Sequence, residues 1–251
     1  MRDVRTEDNE QKKQSFCRAA LSADDVCSIF LAIMGSSYRQ IRNYENLQKQ
    51  IYEGVGKYDI PQIKPVQVLA DNWIGFNYAK GCDDPQVHGI HFFIDDYQFM
   101  RVWTDPDRYA YMLLKFQAVC TPDFSTYTDF PKAVQIFNHY RKHWCGAYWQ
   151  DYGITVIPTI SWSDEDSFDW CFDGEPVGGV VAVSSVGTQN DPQCRRLFEA
   201  GFDEMVKRLQ PSQIIMYGDI PDVCLEYGIG IETVKAFHKK WHEARAAARM
   251  E

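Results

Sequence analysis

Apolar positions fall along this chain in two rhythms. Near the amino end they recur three and four apart. After Ser22, with Asp24 and Asp25 in the first turn, Val26, Ile29, Phe30 and Ile33 mark one helical face that stops at Gly35. Ser37 and Gln40 then form a capping box for a second helix, with Ile41, Tyr44 and Ile51 near one face and Arg39, Arg42 and Lys49 adding charge. Gly54, Gly56, Pro61 and Pro65 break any regular element, and this stretch reads as a linker.

From Val66 onward short apolar runs of strand length alternate with helical or mixed stretches. Strands are expected over 66–73, 89–97, 118–125, 154–162, 178–187 and 212–220. Phe130, Val134, Phe137, Trp144 and Tyr148 mark the apolar stripe of one intervening helix, and Leu197, Phe202, Met205, Val206 and Leu209 that of another. Parallel neighbours need such crossovers, so the pattern predicts an α/β fold of mostly parallel strands. Six strands fall short of eight, which favours an incomplete or irregular TIM-like barrel, with an open doubly wound sheet as the alternative. The expected organisation is a fraying tail over 1–14, a helical appendage over 15–60, and a barrel-like domain over 66–251.

Composition narrows the setting. With 251 residues, 45% of them hydrophobic and 24% charged, the chain can bury one large core, and aromatics at 14% suggest bulky packing or an aromatic-lined site. A net charge of −9 argues against a surface that tracks nucleic acid throughout. The eight cysteines are scattered with no C-x-x-C pair, and the charged amino terminus lacks the apolar run of a signal peptide. A soluble protein of the reducing cytoplasm is expected, without membrane insertion.

Polar residues gather where the strands should end, and in parallel α/β architectures those carboxyl ends share one rim. Asp123 is the leading candidate for acid/base or metal-holding work, with Asp95, Asp96 and Asp219 assisting. Ser125, Ser184, Ser185 and Tyr217 would position a ligand, while Trp149 and Trp162 would stack on it or shield it. Oxygen ligands of this kind suit Mg2+. The same residues also make turns and caps, which is the bland explanation of their clustering.

Other motifs are weaker. Ser184-Ser185-Val186-Gly187-Thr188 is similar to glycine-containing loops that hold phosphate, but no P-loop or dinucleotide fingerprint follows any strand. His139/His143 and His238/His242 have the spacing of helical metal ligands, yet lack a glutamate between them or a cysteine partner, and read as solvated helix faces. His88 and His91 lie three apart at a strand start and point to opposite faces. The two amino-terminal helices have the outline of a helix-turn-helix in which Arg39, Arg42 and Asn43 would contact DNA. A plain helical hairpin is the reading preferred.

The segments Gly89-Ile90-His91-Phe92-Phe93-Ile94-Asp95-Asp96, Thr121-Pro122-Asp123-Phe124-Ser125, Asn138-His139-Tyr140-Arg141, Tyr148-Trp149-Gln150, Val156-Ile157-Pro158 and Ala182-Val183-Ser184-Ser185-Val186-Gly187 resemble a bacterial and phage family catalogued as domain of unknown function 4417. The resemblance implies a phage or mobile-element setting in a bacterial host and carries over no catalytic residues. Two functions stay open. One is a carboxylate-lined cleft that binds a small polar or phosphorylated ligand, with its hydrolysis, metal-assisted or acid/base, as a further step left open. The other is a non-catalytic factor that binds a host protein, as in anti-defence, or binds DNA through the amino-terminal helices.

Overall fold

The computed structural model describes residues 44–236. The expected tail, Arg39, Arg42, Asn43 and the His238/His242 pair lie outside those residues. The chain divides after Lys49, and the described strands and helices all belong to the unit that begins at Gln50.

In chain order the strands are β1 (Gly54–Val55), β2 (Ile60–Pro61), β3 (Asn72–Gly75), β4 (His88–His91), β5 (Ala118–Cys120), β6 (Val156–Ile157), β7 (Val180–Ser184), β8 (Gln213–Tyr217) and β9 (Gly230–Val234). The α-helices are α1 (Asp96–Phe99), α2 (Arg101–Thr104), α3 (Pro106–Leu113), α4 (Lys132–Asp151), α5 (Pro192–Leu209) and α6 (Asp222–Leu225). The part of the expected helical appendage that is described, residues 44–60, holds turns and the antiparallel β1–β2 hairpin in place of helix. Gly54 is required there, because a Cβ would sit 2.1 Å from the backbone of Asp59.

Strands β3 to β6 form one parallel sheet and β7 to β9 another, each in sequence order. A parallel bridge between Thr159 and Ala182 links the two, with Ala182 N donating to the Pro158 carbonyl and Ile160 N to that of Ala182, both at 2.8 Å. The strand order never reverses, so the switch point of the doubly wound alternative is missing among the described strands. Neither is there a closed barrel. Between β9 and β3 no ladder forms; the Trp73 indole N–H donates to Glu232 Oε1 at 3.0 Å across the gap.

Side-chain alternation builds three cores from these strands. One face of both sheets contributes to a shared cluster of largely small residues, including Ala118, Cys120, Ile157, Val180, Ala182, Ile215 and Val234. The opposite face of the first sheet, Ile90, Val119 and Val156, packs on α1 to α4 through Phe99, Trp103, Leu113 and Trp144. The opposite face of the second, Val181, Val183, Ile214 and Met216, packs on α5 through Phe198, Phe202, Met205 and Leu209.

Three boundaries differ from expectation. Residues 62–71 are no strand; they form a strap, with Ile63 N donating to the Gly174 carbonyl and Val180 N to that of Val66. Lys64 exchanges two 2.9 Å hydrogen bonds with the Gln150 amide, so side chains supply partners that a ladder otherwise would. The strand expected to reach residue 97 stops at His91, since Asp95 and Asp96 open helix α1. Strand β9, rich in glycine at its start, is the seventh parallel strand and was hidden by Gly228 and Gly230.

The expected apolar stripe on α4 is corrected as well. Val134 and Phe137 are 42% and 38% exposed, while Gln135, Asn138, His139, Lys142 and His143 are buried. The two histidines are therefore interior groups, contrary to the solvated face expected for them. Among the described residues no helix is long and apolar enough to cross a membrane.

Candidate functional site

Parallel strands in sequence order bring all their carboxyl ends to one side, and the loops beyond them line a pocket of about 1130 Å³. Each strand contributes: Gly75 ends β3, His91 ends β4, Asp123 follows β5, Ile160 follows β6, Ser184 ends β7, Tyr217 ends β8 and Lys235 follows β9. Asp95, Asp96, Asp123, Ser125, Trp162, Ser184 and Tyr217 all line it.

The acidic corner is tied together before any ligand arrives. Asp96, first residue of α1, accepts from Ser125 Oγ at 2.8 Å and Ser125 N at 3.2 Å, which fastens the loop after β4 to the loop after β5. Helix α4 braces that junction, because Asn138 Nδ2 donates to the Ser125 carbonyl at 2.6 Å. Arg141 in turn donates to Asn138 Oδ1 at 2.5 Å and lies 4.1 Å above the Phe124 ring. Asp95 stands more exposed and accepts from Gln98 Nε2 at 3.3 Å.

Asp123 differs from its neighbours. No described residue donates a hydrogen bond to its carboxyl, which borders the pocket. Burial pushes it up to about 7; the Lys142 ammonium pulls against that shift, and the Asp96 carboxylate adds to it. Asp123 therefore has both protonation states populated near neutrality.

Aromatic side chains form much of the remaining wall. Phe93 and Tyr217 stack with centroids 4.9 Å apart on the floor, and His91 lies 4.9 Å from the same Tyr217 ring. Tyr78, Tyr97 and Tyr127 are exposed around the mouth. The Trp162 indole donates to the Leu197 carbonyl at 2.9 Å and fills the space over Gly201, where a Cβ would come within 2.2 Å of the ring.

Some of the expected site residues lie elsewhere. Trp149 is fully buried, stacked on Phe92 at 5.7 Å, and can neither stack on nor shield a ligand; it packs the core because α4 turns that face inward. Ser185 is buried and spends its hydroxyl on the Asp219 carbonyl at 2.5 Å, which clips the loop after β7 to the loop after β8. Gly218, at φ +110°, permits that approach, since a Cβ there would meet Ser185 Oγ at 2.6 Å. The Asp219 side chain is exposed beyond the pocket lining.

The loop compared above with phosphate cradles leads into α5, whose first amides at Gln193 and Cys194 already bond the Asp191 carboxylate at 2.8 and 3.0 Å. An anion therefore finds that helix end occupied. Three carboxylates, Asp95, Asp96 and Asp123, face one lysine, Lys235, in the lining. The three do not gather their oxygens within 4.8 Å of one another as two other groups do, Cys82/Asp84/His88 and His139/His143/Glu175.

In the second of those groups sequence reasoning found the His139/His143 spacing but took the pair for a solvated face and missed Glu175. Glu175 Oε1 accepts from Lys142 Nζ at 2.7 Å and lies 3.0 Å from His143 Nε2, all three residues being buried. Burial pushes Glu175 up, but Lys142 and His143 outweigh it and hold the carboxyl below its ordinary value. Lys142 also donates to the Thr159 carbonyl at 2.8 Å, and His143 Nδ1 to that of Pro61 at 2.8 Å. His139 Nε2 donates to the Asp173 carbonyl at 3.0 Å; burial, then Lys142 and His143, hold it well below the ordinary imidazole value. The available signal was the spacing of Gln135, Asn138, His139, Lys142, Cys145, Gly146 and Trp149, a helical stripe with a glycine in its middle. A Cβ at Gly146 would fall 2.8 Å from Ile63 and 2.9 Å from Thr121.

Comparison with known proteins places this geometry in a lineage. The chain is 40% identical over 174 residues to the "Gene 1 protein" of Mycobacterium phage L5, covering 68% of this chain and 76% of the relative. It is 42% identical over 163 residues to the "Gene 1 protein" of Mycobacterium phage D29, covering 64% of this chain and 60% of the relative. No solved structure matches it. The family model described as Domain of unknown function (DUF4417) matches residues 52–234, the span that contains both parallel sheets and all of the pocket lining except Lys235, and the chain belongs to that family.

Proposed function

We propose that this is a phage-associated protein of the bacterial host cytoplasm whose pocket binds a small polar ligand, with Asp123 acting as the acid/base group. The observation that carries the reading is Asp123 itself: a carboxyl with no hydrogen-bonding partner among the described residues, at a pocket edge, with a value near 7. Groups poised near neutrality in a cleft are suited to accept and return a proton.

The lining favours one class of ligand. Three carboxylates against one lysine disfavour a bare phosphate, and the amide end of α5 is already capped by Asp191. Exposed tyrosines and Trp162 suit the faces of a ring, as in a sugar or a nucleoside. A phosphorylated ligand would need a divalent cation, Mg2+ for instance, to bridge it to the acids. The two sheets serve as one open, barrel-like wall: they share the inner cluster, the Thr159–Ala182 bridge joins them, and Trp73 reaches Glu232 across the gap.

A panel of neutral sugars and nucleosides, observed by protein NMR at pH 5.5 and 8.5, tests this reading. Binding is expected to shift His91, Tyr217 and Trp162 resonances and to depend on pH through Asp123. In Asp123→Asn the pH dependence disappears. Binding whose pH profile is the same in Asp123→Asn as in the parent chain removes Asp123 from the role, and an inert pocket across the panel removes the ligand class.

A further inference from the structure

Among the described residues two groups of side chains gather donor atoms closely enough for a metal ion, and charge separates them. In the interior group Glu175 already has the Lys142 ammonium at 2.7 Å. A dication would add two positive charges to a fully buried place whose one carboxylate is matched. On the surface the balance is reversed. Cys82 offers a thiol, Asp84 a carboxylate and His88 an imidazole, and no lysine or arginine lines the adjoining hollow of about 460 Å³.

We propose that Cys82, Asp84 and His88, in the connection between β3 and β4, form a binding site for a divalent metal ion of the zinc type. Asp84 Oδ1 lies 3.3 Å from His88 Nδ1 and 3.7 Å from Cys82 Sγ. Bond lengths of about 2.0 Å to oxygen and nitrogen and about 2.3 Å to sulfur give tetrahedral edges of roughly 3.3 and 3.5 Å, so Asp84 already stands near coordinating separation from both partners, and the Cys82 and His88 donor atoms lie within 4.8 Å of each other.

The local chain supports the assignment. Asp84 occupies the cap position of the short turn Pro85–Val87, yet its carboxylate makes no capping bond and turns instead to Cys82 and His88. The Asp84 carbonyl also lies 2.9 Å from His88 Nδ1, so in the metal-free chain one hydrogen on that nitrogen faces two oxygens of the same residue. On binding, the neutral imidazole moves this hydrogen to Nε2, the Cys82 thiol gives its proton to solvent, and the ion takes the position between the donors. Thiolate and carboxylate together cancel the charge of a dication. A sulfur, nitrogen and oxygen set selects zinc-like ions over magnesium or calcium. Asp84 and His88 side chains are 65% and 17% exposed, so an ion can enter, and the hollow has room for water as a further ligand.

Cobalt(II) titration of the untagged full-length chain, with metal removed beforehand, tests the proposal. One equivalent of Co2+ is expected to give the charge-transfer absorption of a cobalt–thiolate bond together with tetrahedral d–d bands. Cys82→Ser abolishes the charge-transfer band, and Cys82→Ser and His88→Asn each weaken binding by more than about 100-fold, beyond what loss of a supporting partner costs. His139→Gln leaves the spectrum unchanged. Absence of the thiolate band at one equivalent, or its persistence in Cys82→Ser, overturns the site. Melting curves of the metal-free variants, expected to match the parent, separate lost binding from lost folding.

Discussion

Helices α4 and α5 are alike in length, 20 and 18 residues, and each packs apolar side chains on the outer face of one sheet, yet only α4 also buries a row of polar ones. Helix α5 follows its sequence throughout. Asp191 caps it, Pro192 opens it, Phe198, Phe202, Met205 and Leu209 face the core, Lys207 and Arg208 sit in the last turn, and Gln210 closes it in a left-handed conformation. Helix α4 turns Gln135, Asn138, His139, Lys142 and His143 inward and leaves Val134 and Phe137 half in solvent. A polar face can be buried when irregular backbone around it offers carbonyls, here those of Pro61, Thr159 and Asp173, and one carboxylate, Glu175. Helical periodicity announces that a face exists; the neighbours decide what may occupy it.

The contrast can be broken most strongly at Glu175. Glu175→Gln leaves Lys142 buried without its anion and is expected to cost about 3–5 kcal/mol in urea unfolding. Pairing Glu175→Leu with Lys142→Met is expected to recover much of that loss, which a purely apolar interface would not do. Because Glu175 is held below its ordinary value, its contribution is present above the unfolded carboxyl value and fades as pH falls through the folded one.

On α5 the matching change is Phe202→Ala, expected to cost about 3 kcal/mol through lost apolar burial and the cavity left behind, with little dependence on pH. Asp123 works in the other direction. Its folded value of about 7 exceeds the unfolded one, so the folded chain holds the proton more tightly, and stability declines as pH rises between the two values. Asp123→Asn is therefore expected to stabilise the protein at pH 8 by about 1–2 kcal/mol, allowing for solvent at the pocket edge, and to change little at pH 4. The smallest effect belongs to Val134→Gln, within about 0.5 kcal/mol, although the residue lies on the stripe that its sequence marks as apolar.

These cases also explain what could be read from the chain in advance. Runs such as Val180 to Val183 and Ile214 to Met216 identify buried parallel strands because both faces are covered, and the convergence of Asp123, Ser125 and Ser184 on one pocket follows from parallel order. Trp149, Ser185 and Asp219 carried no such signal, because the direction of a side chain at a strand end or on a helix depends on a local bend. Strand β9 and the β1–β2 hairpin were obscured by glycines, which mark turns as readily as strand starts. The Glu175 network could not be assembled because its members come from residues 61, 142, 143, 159 and 175, and only the folded chain brings them together.

Gly201 gives the pocket an adjustable width. The bare backbone at that point on α5 is the seat of the Trp162 ring, and a single methyl group would unseat it. Alanine at 201 would lever the indole away from the helix and into the opening, narrowing the entrance without altering a carboxylate or a hydroxyl.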